Sequence, residues 1–383
     1  MKEKRIELFQ SIVPFLCDWF EKDHRQMYWR SHPLPYYVWI SEIMLQQTRV
    51  EAVREYFARF IQELPDIKSL AMVDMDKLLK LWEGLGYYNR AKNLKKAAIV
   101  ILEEYNGKMP SEYKELLKLP GIGEYTAGAI ASIAFGQAEP VVDGNILRVL
   151  MRLTENHEDI LKEKVKRELR EDLKQIIPKE KPGIFNQALM ELGAVVCVPN
   201  GLPKCLQCPI KIFCQAREQG IEHDLSYAQS LPWKAQKKER QKEDWTIFLF
   251  ERDGKIAVGR RAEKGLLANM WEFPMLSGRL KKSELEMLLE EAGFRFETIE
   301  ELGEAIHIFS HIEWHMTGYF IRLSGNPMIV AEQNRYNIQE ERKELVPILE
   351  DLLKERNWET PAILKKEYSM PSAFKVYKQK LGI

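Results

Sequence analysis

Apolar positions recur with helical spacing through the N-terminal part of the chain and change to strand spacing near Trp245. Ile6, Phe9, Ile12, Val13, Leu16 and Phe20 fall three and four residues apart and predict one amphipathic helix over 3–21. After an extended connector at Pro33 and Pro35, an apolar run predicts a helix from Tyr37 past Val50. Residues 67–106 predict two helices joined by WEGLGYYNRAKNL, in which Gly84 and Gly86 permit a tight turn presenting Tyr87, Tyr88, Asn89 and Arg90. A run ending at Leu119, a Pro-Gly-Ile-Gly turn and a small-residue helix from Tyr125 follow, with further helices over 146–153, 160–176 and 183–196. From Trp245, WTIFLFERDGKIAVGRR predicts two strands around an Asp253-Gly254 turn. The segment MWEFPML, a helix in KKSELEMLLEEAGF, two strands in AIHIFSHIEWHMTGYFIRL and a helix in ERKELVPILEDLLKE complete an α+β domain. An all-α N-terminal domain is thus joined to an α+β C-terminal domain through the charged stretch LPWKAQKKERQKED.

Length and charge add little. A chain of 383 residues suffices for two or three domains, and Lys plus Arg equals Asp plus Glu at 57 each, so net charge does not point to a polyanion. No apolar run approaches the roughly 20 residues that span a bilayer, and MKEKRIELFQ lacks a signal-peptide core. A cytoplasmic location is expected. Cysteine usage is more informative: of five, Cys17 stands alone while Cys197, Cys205, Cys208 and Cys214 fall close together, which in a cytosolic chain indicates metal binding.

Several stretches carry candidate chemistry. In LPGIG (119–123) the glycines let the chain turn with amide groups exposed at a helix start, where a phosphate is attracted; this is a helix-hairpin-helix pattern that holds a nucleic-acid backbone without reading sequence. Asp143 follows near the far end of the next helix. Glu42 lies among Ile40, Ile43, Met44 and Leu45, where burial would keep it protonated near neutral pH, or else it occupies the wet face of its helix. The 82–94 turn suits wedging into a base stack as well as it suits tyrosines capping a hairpin core. The spacing C-x7-C-x2-C-x5-C fits either tetrahedral zinc or a [4Fe–4S] cluster, and the loop from Cys197 to Arg217 carries Lys204, Lys211 and Arg217 and no acid.

These motifs resemble those of the helix-hairpin-helix DNA glycosylases. Over the whole chain SEIMLQQTRV (41–50), WEGLGYYNRAKNL (82–94), LPGIGEYTAG (119–128), VVDGNILRVL (141–150), the four-cysteine loop, WEFP (271–274) and FSH (309–311) resemble the MutY-type adenine glycosylases, in that family's order. The resemblance implies domain boundaries: a glycosylase domain over 1–228 (a six-helix part, 28–140, and a cluster-bearing part from 1–27 and 141–228), a basic linker over 229–241, and a Nudix-like 8-oxoguanine recognition domain over 242–383. It implies hydrolysis of the N-glycosidic bond of adenine mispaired with 8-oxoguanine or guanine in duplex DNA, in base excision repair, by a monomer. Glu42 is then the general acid and Asp143 stabilises the oxocarbenium ion or acts as a transient nucleophile, with Tyr125 and Asn145 supporting. Arg30, Gln47, Thr48, Tyr87, Tyr88, Gly121, Gly123, Phe309, Ser310 and His311 are implied to contact DNA. Cys197, Cys205, Cys208 and Cys214 are implied to hold a [4Fe–4S] cluster.

The chain also departs from the pattern. Endonuclease III-type glycosylases carry a nucleophilic Lys where Tyr125 stands, so a Schiff base and strand nicking are not expected; a bifunctional glycosylase/lyase is the alternative this disfavours. The first gap between cysteines has seven residues where the family usually has six. The helix EMLLEEAGF keeps Glu290 and Glu291 but has Met287 where a Nudix hydrolase binds metal, so that domain is expected to recognise rather than hydrolyse. The segment 330–357 has no counterpart in the pattern.

Overall fold

The computed structural model describes residues 2–222, 226–235, 239–324 and 344–383. Residues 236–238 of the basic linker and 330–343 of the segment without a counterpart lie outside the described residues. The chain divides into two units, Met1–Val73 with Asn89–Lys237, and Asp74–Tyr88 with Lys238–Ile383.

The first unit is helical. Helix α1 (Lys2–Asp23) forms where the periodicity predicts and buries Phe9, Ile12, Leu16, Cys17 and Phe20. A short α2 (Tyr28–Ser31) precedes α3 (Pro35–Leu45), which starts on a proline, a residue whose missing N–H costs nothing in a first turn. The expected continuation past Val50 does not occur: α3 ends at Leu45 and α4 (Val50–Glu63) begins afresh. The break is fixed by Gln47, whose φ is +58°, and by the Arg90 guanidinium, which donates to the freed carbonyls of Ile43, Met44 and Gln46 at 2.8, 3.0 and 2.7 Å.

Three helices form where two were expected over 67–106: α5 (Ile67–Met72) and α7 (Asn89–Glu104) in the first unit, and α6 (Met75–Leu81), which falls in the second unit. Asp66 caps α5 through the Ser69 amide, and Asp74 caps α6 through those of Asp76 and Lys77, so each aspartate starts a new helix. Then come α8 (Tyr113–Leu116), α9 (Glu124–Ala129) passing into a π turn (Ile130–Ala134), α10 (Gly144–Leu153), α11 (Glu163–Ile176), α12 (Pro182–Val195) and α13 (Gln215–Glu222). Leu147 and Leu150 of α10, Leu169 and Leu173 of α11 and Phe185, Leu189 and Leu192 of α12 close a core with α1. A Cβ on Gly193 would meet the Asn145 Cβ at 2.7 Å, so α12 seats against the first turn of α10 only because that position lacks a side chain.

The second unit is built on a seven-stranded sheet: β1 (Gln241–Arg252), β2 (Lys255–Arg260), β3 (Trp271–Glu272), β4 (Met275–Ser277), β5 (Phe296–Ile308), β6 (Ile312–Leu323) and β7 (Asn357–Glu359). The path is β3-β2-β1-β6-β5, with β4 on β1 and β7 on β2. β1 runs parallel to β6, and the other pairs are antiparallel. Asp253 and Gly254 turn between β1 and β2 with φ of +53° and +73°, as the hairpin signal predicts. The run IFLF (247–250) reads continuously apolar because both faces are covered. Phe248 and Phe250 pack with Leu285, Leu288 and Leu289 of α14 (Lys282–Glu291), while Ile247 and Leu249 pack with Trp314, Phe374 and Tyr377. Of the helix expected in ERKELVPILEDLLKE, the described residues contain Leu345–Asp351. Among the described residues no helix is long and apolar enough to cross a membrane.

Candidate active site

Glu42 projects from the middle of α3 and is 6% exposed, so it belongs to the interior and not to a wet face. Its Oε2 accepts a 2.5 Å hydrogen bond from the Tyr125 hydroxyl, which also lies 3.3 Å from the Met190 Sδ. Burial pushes the Glu42 carboxyl up to about 7; the Tyr125 bond pulls it back, the Asp143 charge raises it further and Arg30 lowers it. The same surroundings raise the Tyr125 hydroxyl well above its ordinary range, so it is a donor at any physiological pH.

Asp143 caps α10. Its Oδ1 accepts from the amides of Asn145 (3.0 Å) and Ile146 (2.7 Å), and Oδ2 from the Asn145 side chain at 2.8 Å. Burial raises its carboxyl, opposed by those three donors and by Arg148. All three donors favour the ionised form, and the N-terminus of α10 adds to them. Asn145 is itself held, since its Oδ1 accepts from Arg148 Nη2 at 3.0 Å.

Four charged residues that sequence reading passed over complete the surroundings. Glu191 of α12 accepts from Arg25 Nε at 2.7 Å and from Arg30 Nη2 at 2.9 Å; burial opposes its ionisation, yet these bonds hold it at about 2. Arg148 donates to the carbonyls of Cys197 (2.8 Å) and Gly193 (2.7 Å), and Arg152 to that of Val198 (3.0 Å) and to the Cys197 sulfur (3.3 Å). The available signal was a charge inside an apolar helix: Arg148 and Arg152 sit four apart in GNILRVLMRL, and Glu191 interrupts ALMELGA.

Cys197, Cys205, Cys208 and Cys214 line one pocket with Arg152, Lys211 and Arg217. Burial pushes Cys208 up to about 12 and Cys214 up to about 11, so as free thiols both are protonated, and binding a metal would displace their protons. Four soft donors ringed by cations fit a thiolate-ligated group, with the cations offsetting ligand charge. No three His, Cys, Asp or Glu side chains among the described residues gather tightly enough to mark a single-ion site by themselves, so the fit rests on the pocket and its donor set.

Of the turn expected to present Tyr87, Tyr88, Asn89 and Arg90, only part faces outward. Tyr87 is 50% exposed with φ of +49°, whereas Tyr88 and Arg90 are buried. The Tyr88 hydroxyl accepts the Gly84 amide at 3.3 Å, so this ring braces the turn from inside. Gln47 is exposed, and Thr48 lies 3.4 Å from Arg90 Nη2. Gly121, with φ of +76°, and Gly123, the N-cap of α9, are both exposed in the hairpin turn. In the second unit Phe309 packs edge-on against Trp314 at 5.0 Å while Ser310 and His311 are exposed at the β5–β6 turn, so one phenylalanine anchors two presented polar residues. The Ser310 Oγ is 3.4 Å from the Tyr87 hydroxyl.

Comparison with known proteins follows this layout. Residues 40–175 match the HhH-GPD superfamily base excision DNA repair protein family, and residues 246–379 match the NUDIX domain family. A thermostable thymine-DNA glycosylase of known structure aligns over 57% of this chain and 98% of its own, with a TM-score of 0.50 and 29% identity. The adenine DNA glycosylase of Buchnera aphidicola from Acyrthosiphon pisum is 36% identical over 82% of this chain and 87% of its own length. The human adenine DNA glycosylase is 35% identical over 85% of this chain and 70% of its own length. At that identity and coverage, this chain belongs to the adenine DNA glycosylase family.

Proposed function

We propose that this enzyme hydrolyses the N-glycosidic bond of adenine mispaired with 8-oxoguanine, or with guanine, in duplex DNA, and that it does so without cutting the strand. The observation that carries the reading is the Glu42–Tyr125 pair: a buried carboxyl near pKa 7, bonded to a phenol at the position that bears an amine in lyase relatives.

Adenine is a poor leaving group until protonated, and the sugar it leaves becomes cationic. Two carboxyl groups in unlike surroundings divide that work. Glu42, kept protonated by burial, donates to the ring of the everted adenine. Asp143, whose ionised form the α10 amides and Asn145 favour against the upward pull of burial, faces the developing oxocarbenium ion, electrostatically or as a transient covalent partner. Tyr125 orients Glu42 and offers no nitrogen for a Schiff base, so water completes the reaction and the strand stays intact.

Reaching the base requires eversion, which costs a few kcal/mol and less at a mispair. Gln47 and Tyr87, each held with left-handed backbone at an exposed turn, serve as wedges, and Thr48 and Arg30 flank the adenine pocket. Gly121 and Gly123 take a phosphate. The cationic cysteine loop adds charge, so affinity falls with salt. Cys197, Cys205, Cys208 and Cys214 hold a [4Fe–4S] cluster, which supplies a rigid cross-link that shapes the loop. Ser310 and His311 contact the partner base through hydroxyl and ring nitrogens, with Phe309 as their anchor.

The test is a single-turnover assay on duplexes carrying 8-oxoguanine:adenine, guanine:adenine and thymine glycol. Adenine release from the first two, with nicking only after alkali, is expected. Release of thymine glycol, or a borohydride-trapped covalent complex, would overturn the reading.

A further inference from the structure

Glu191 is the least exposed carboxylate near the site, at 1%, and makes no contact with Glu42 itself. It lies on α12 directly after Met190, whose sulfur touches the Tyr125 hydroxyl that binds Glu42. Its own carboxylate is saturated. Oε1 accepts from Arg25 N (3.2 Å) and Nε (2.7 Å), and Oε2 from Arg25 Nη2 and Arg30 Nη2, both at 2.9 Å. Arg30 also donates from Nη1 to the Arg25 carbonyl at 3.1 Å and lies over the Phe20 ring at 5.2 Å. Its guanidinium is therefore engaged by Glu191 and the Arg25 carbonyl and forms no ion pair with Glu42, while its charge still acts there.

Sequestering Arg30 matters because a half-buried cation free to turn toward Glu42 would bind the ionised carboxylate and strip the acid of its proton. The charged and titratable groups facing Glu42 are Arg30 from α2, Tyr125 from α9 and Asp143 from the cap of α10, with Arg90 of α7 on the carbonyls of Ile43 and Met44. Facing Glu191 are Arg25 and Arg30, and Arg25 also reaches Glu51 at 4.0 Å. Of these, Arg30 is the cation shared by the two carboxyl groups.

We propose that Glu191 is a positioning residue for the general acid: by engaging Arg25 and Arg30 together it keeps the Arg30 guanidinium beside Glu42 but not paired with it, leaving the Glu42 carboxyl to Tyr125 and the departing base. This rests on Glu42 being the acid. In water-poor surroundings a single unmatched charge is felt strongly, so neutralising Glu191 acts on Glu42 through Arg30 without touching substrate.

The experiment is the pH profile of single-turnover adenine release for wild type, Glu191→Gln, Glu191→Asp and the double variant Glu191→Gln/Arg30→Met. Glu191→Gln is expected to move the alkaline limb to lower pH, slowing release at least about threefold above the limb with a smaller change at pH 6. Glu191→Asp, which keeps the charge, is expected to restore most of the limb, and removing Arg30 in the double variant is expected to move it back upward. A limb left at its wild-type position, or one uniform loss at every pH, would overturn the proposal by marking Glu191 as packing only. Should Glu191→Gln fail to fold, Arg30→Met alone decides: its limb must lie above wild type. A wild type that releases no adenine, or an active Glu42→Gln, removes the functional reading itself, an outcome distinct from an unmoved limb in an active enzyme.

Discussion

The Tyr125 hydroxyl donates to Glu42 Oε2 at 2.5 Å from the start of α9, joining two residues 83 positions apart. The one phenol acts on the Glu42 carboxyl through this bond and puts no amine at that position. Both consequences are open to measurement.

If Glu42 is the general acid, as proposed, it must be protonated to donate, and base release is expected to fall as pH rises through about 7. Glu42→Gln should lower the single-turnover rate by about 10²–10⁴-fold while binding of the mispaired duplex is retained. The comparison needs the rate and the affinity measured on the same preparation.

The same raised carboxyl costs stability. Between its ordinary value of 4.5 and about 7 the folded state holds a proton that the unfolded state has lost, so stability declines as pH rises across that window. Glu42→Gln is therefore expected to be more stable than wild type at pH 8, by about 1–3 kcal/mol, with the gap closing toward pH 5. Denaturant melts at the two pH values check the sign.

Tyr125→Phe removes the bond that lowers the Glu42 carboxyl. Its alkaline limb is expected to move upward, with slower release below the limb because the acid is no longer oriented. An unchanged limb would mean that the hydroxyl does not act on Glu42 in the working enzyme.

Gly193→Ala would place a Cβ 2.7 Å from the Asn145 Cβ, forcing α10 or α12 to shift. A loss of about 1–3 kcal/mol is expected. Because Asn145 holds Asp143, base release should fall by more than the folded fraction does, which thermal melts and rates measured together separate.

Purified protein is expected to carry iron and acid-labile sulfide, with little zinc. Cys208→Ser, at a loop thiol that burial pushes up to about 12, should lose both and melt at lower temperature. Metal analysis beside a thermal melt tests this, and stoichiometric zinc with full activity would contradict it.

Much of this architecture is local and was legible in the chain. Period separates helices from strands, so the change of texture at Trp245 marks the second domain. Asp253-Gly254 needs left-handed backbone and takes it. The cysteines lie close in sequence, so their spacing shows the donor set directly. Where expectation failed, a tertiary contact overrode it: α3 reads as continuous past Val50, and Arg90, from a helix some forty residues on, ends it by taking its carbonyls. Tyr88 looks equivalent to Tyr87 in sequence, yet one braces the turn and the other is presented.

By itself the sequence determined the two domain types, the hairpin turn, the cysteine loop and the residue types available for chemistry, because turn geometry, periodicity and ligand spacing are properties of neighbours. Only the tertiary structure decided the state of the acids. Whether Glu42 is wet or buried, whether Asp143 meets amides or solvent, and whether Arg30 faces Glu191 depend on helices far apart in the chain. A carboxyl group's proton affinity is set by what surrounds it in space, and sequence order does not carry that information.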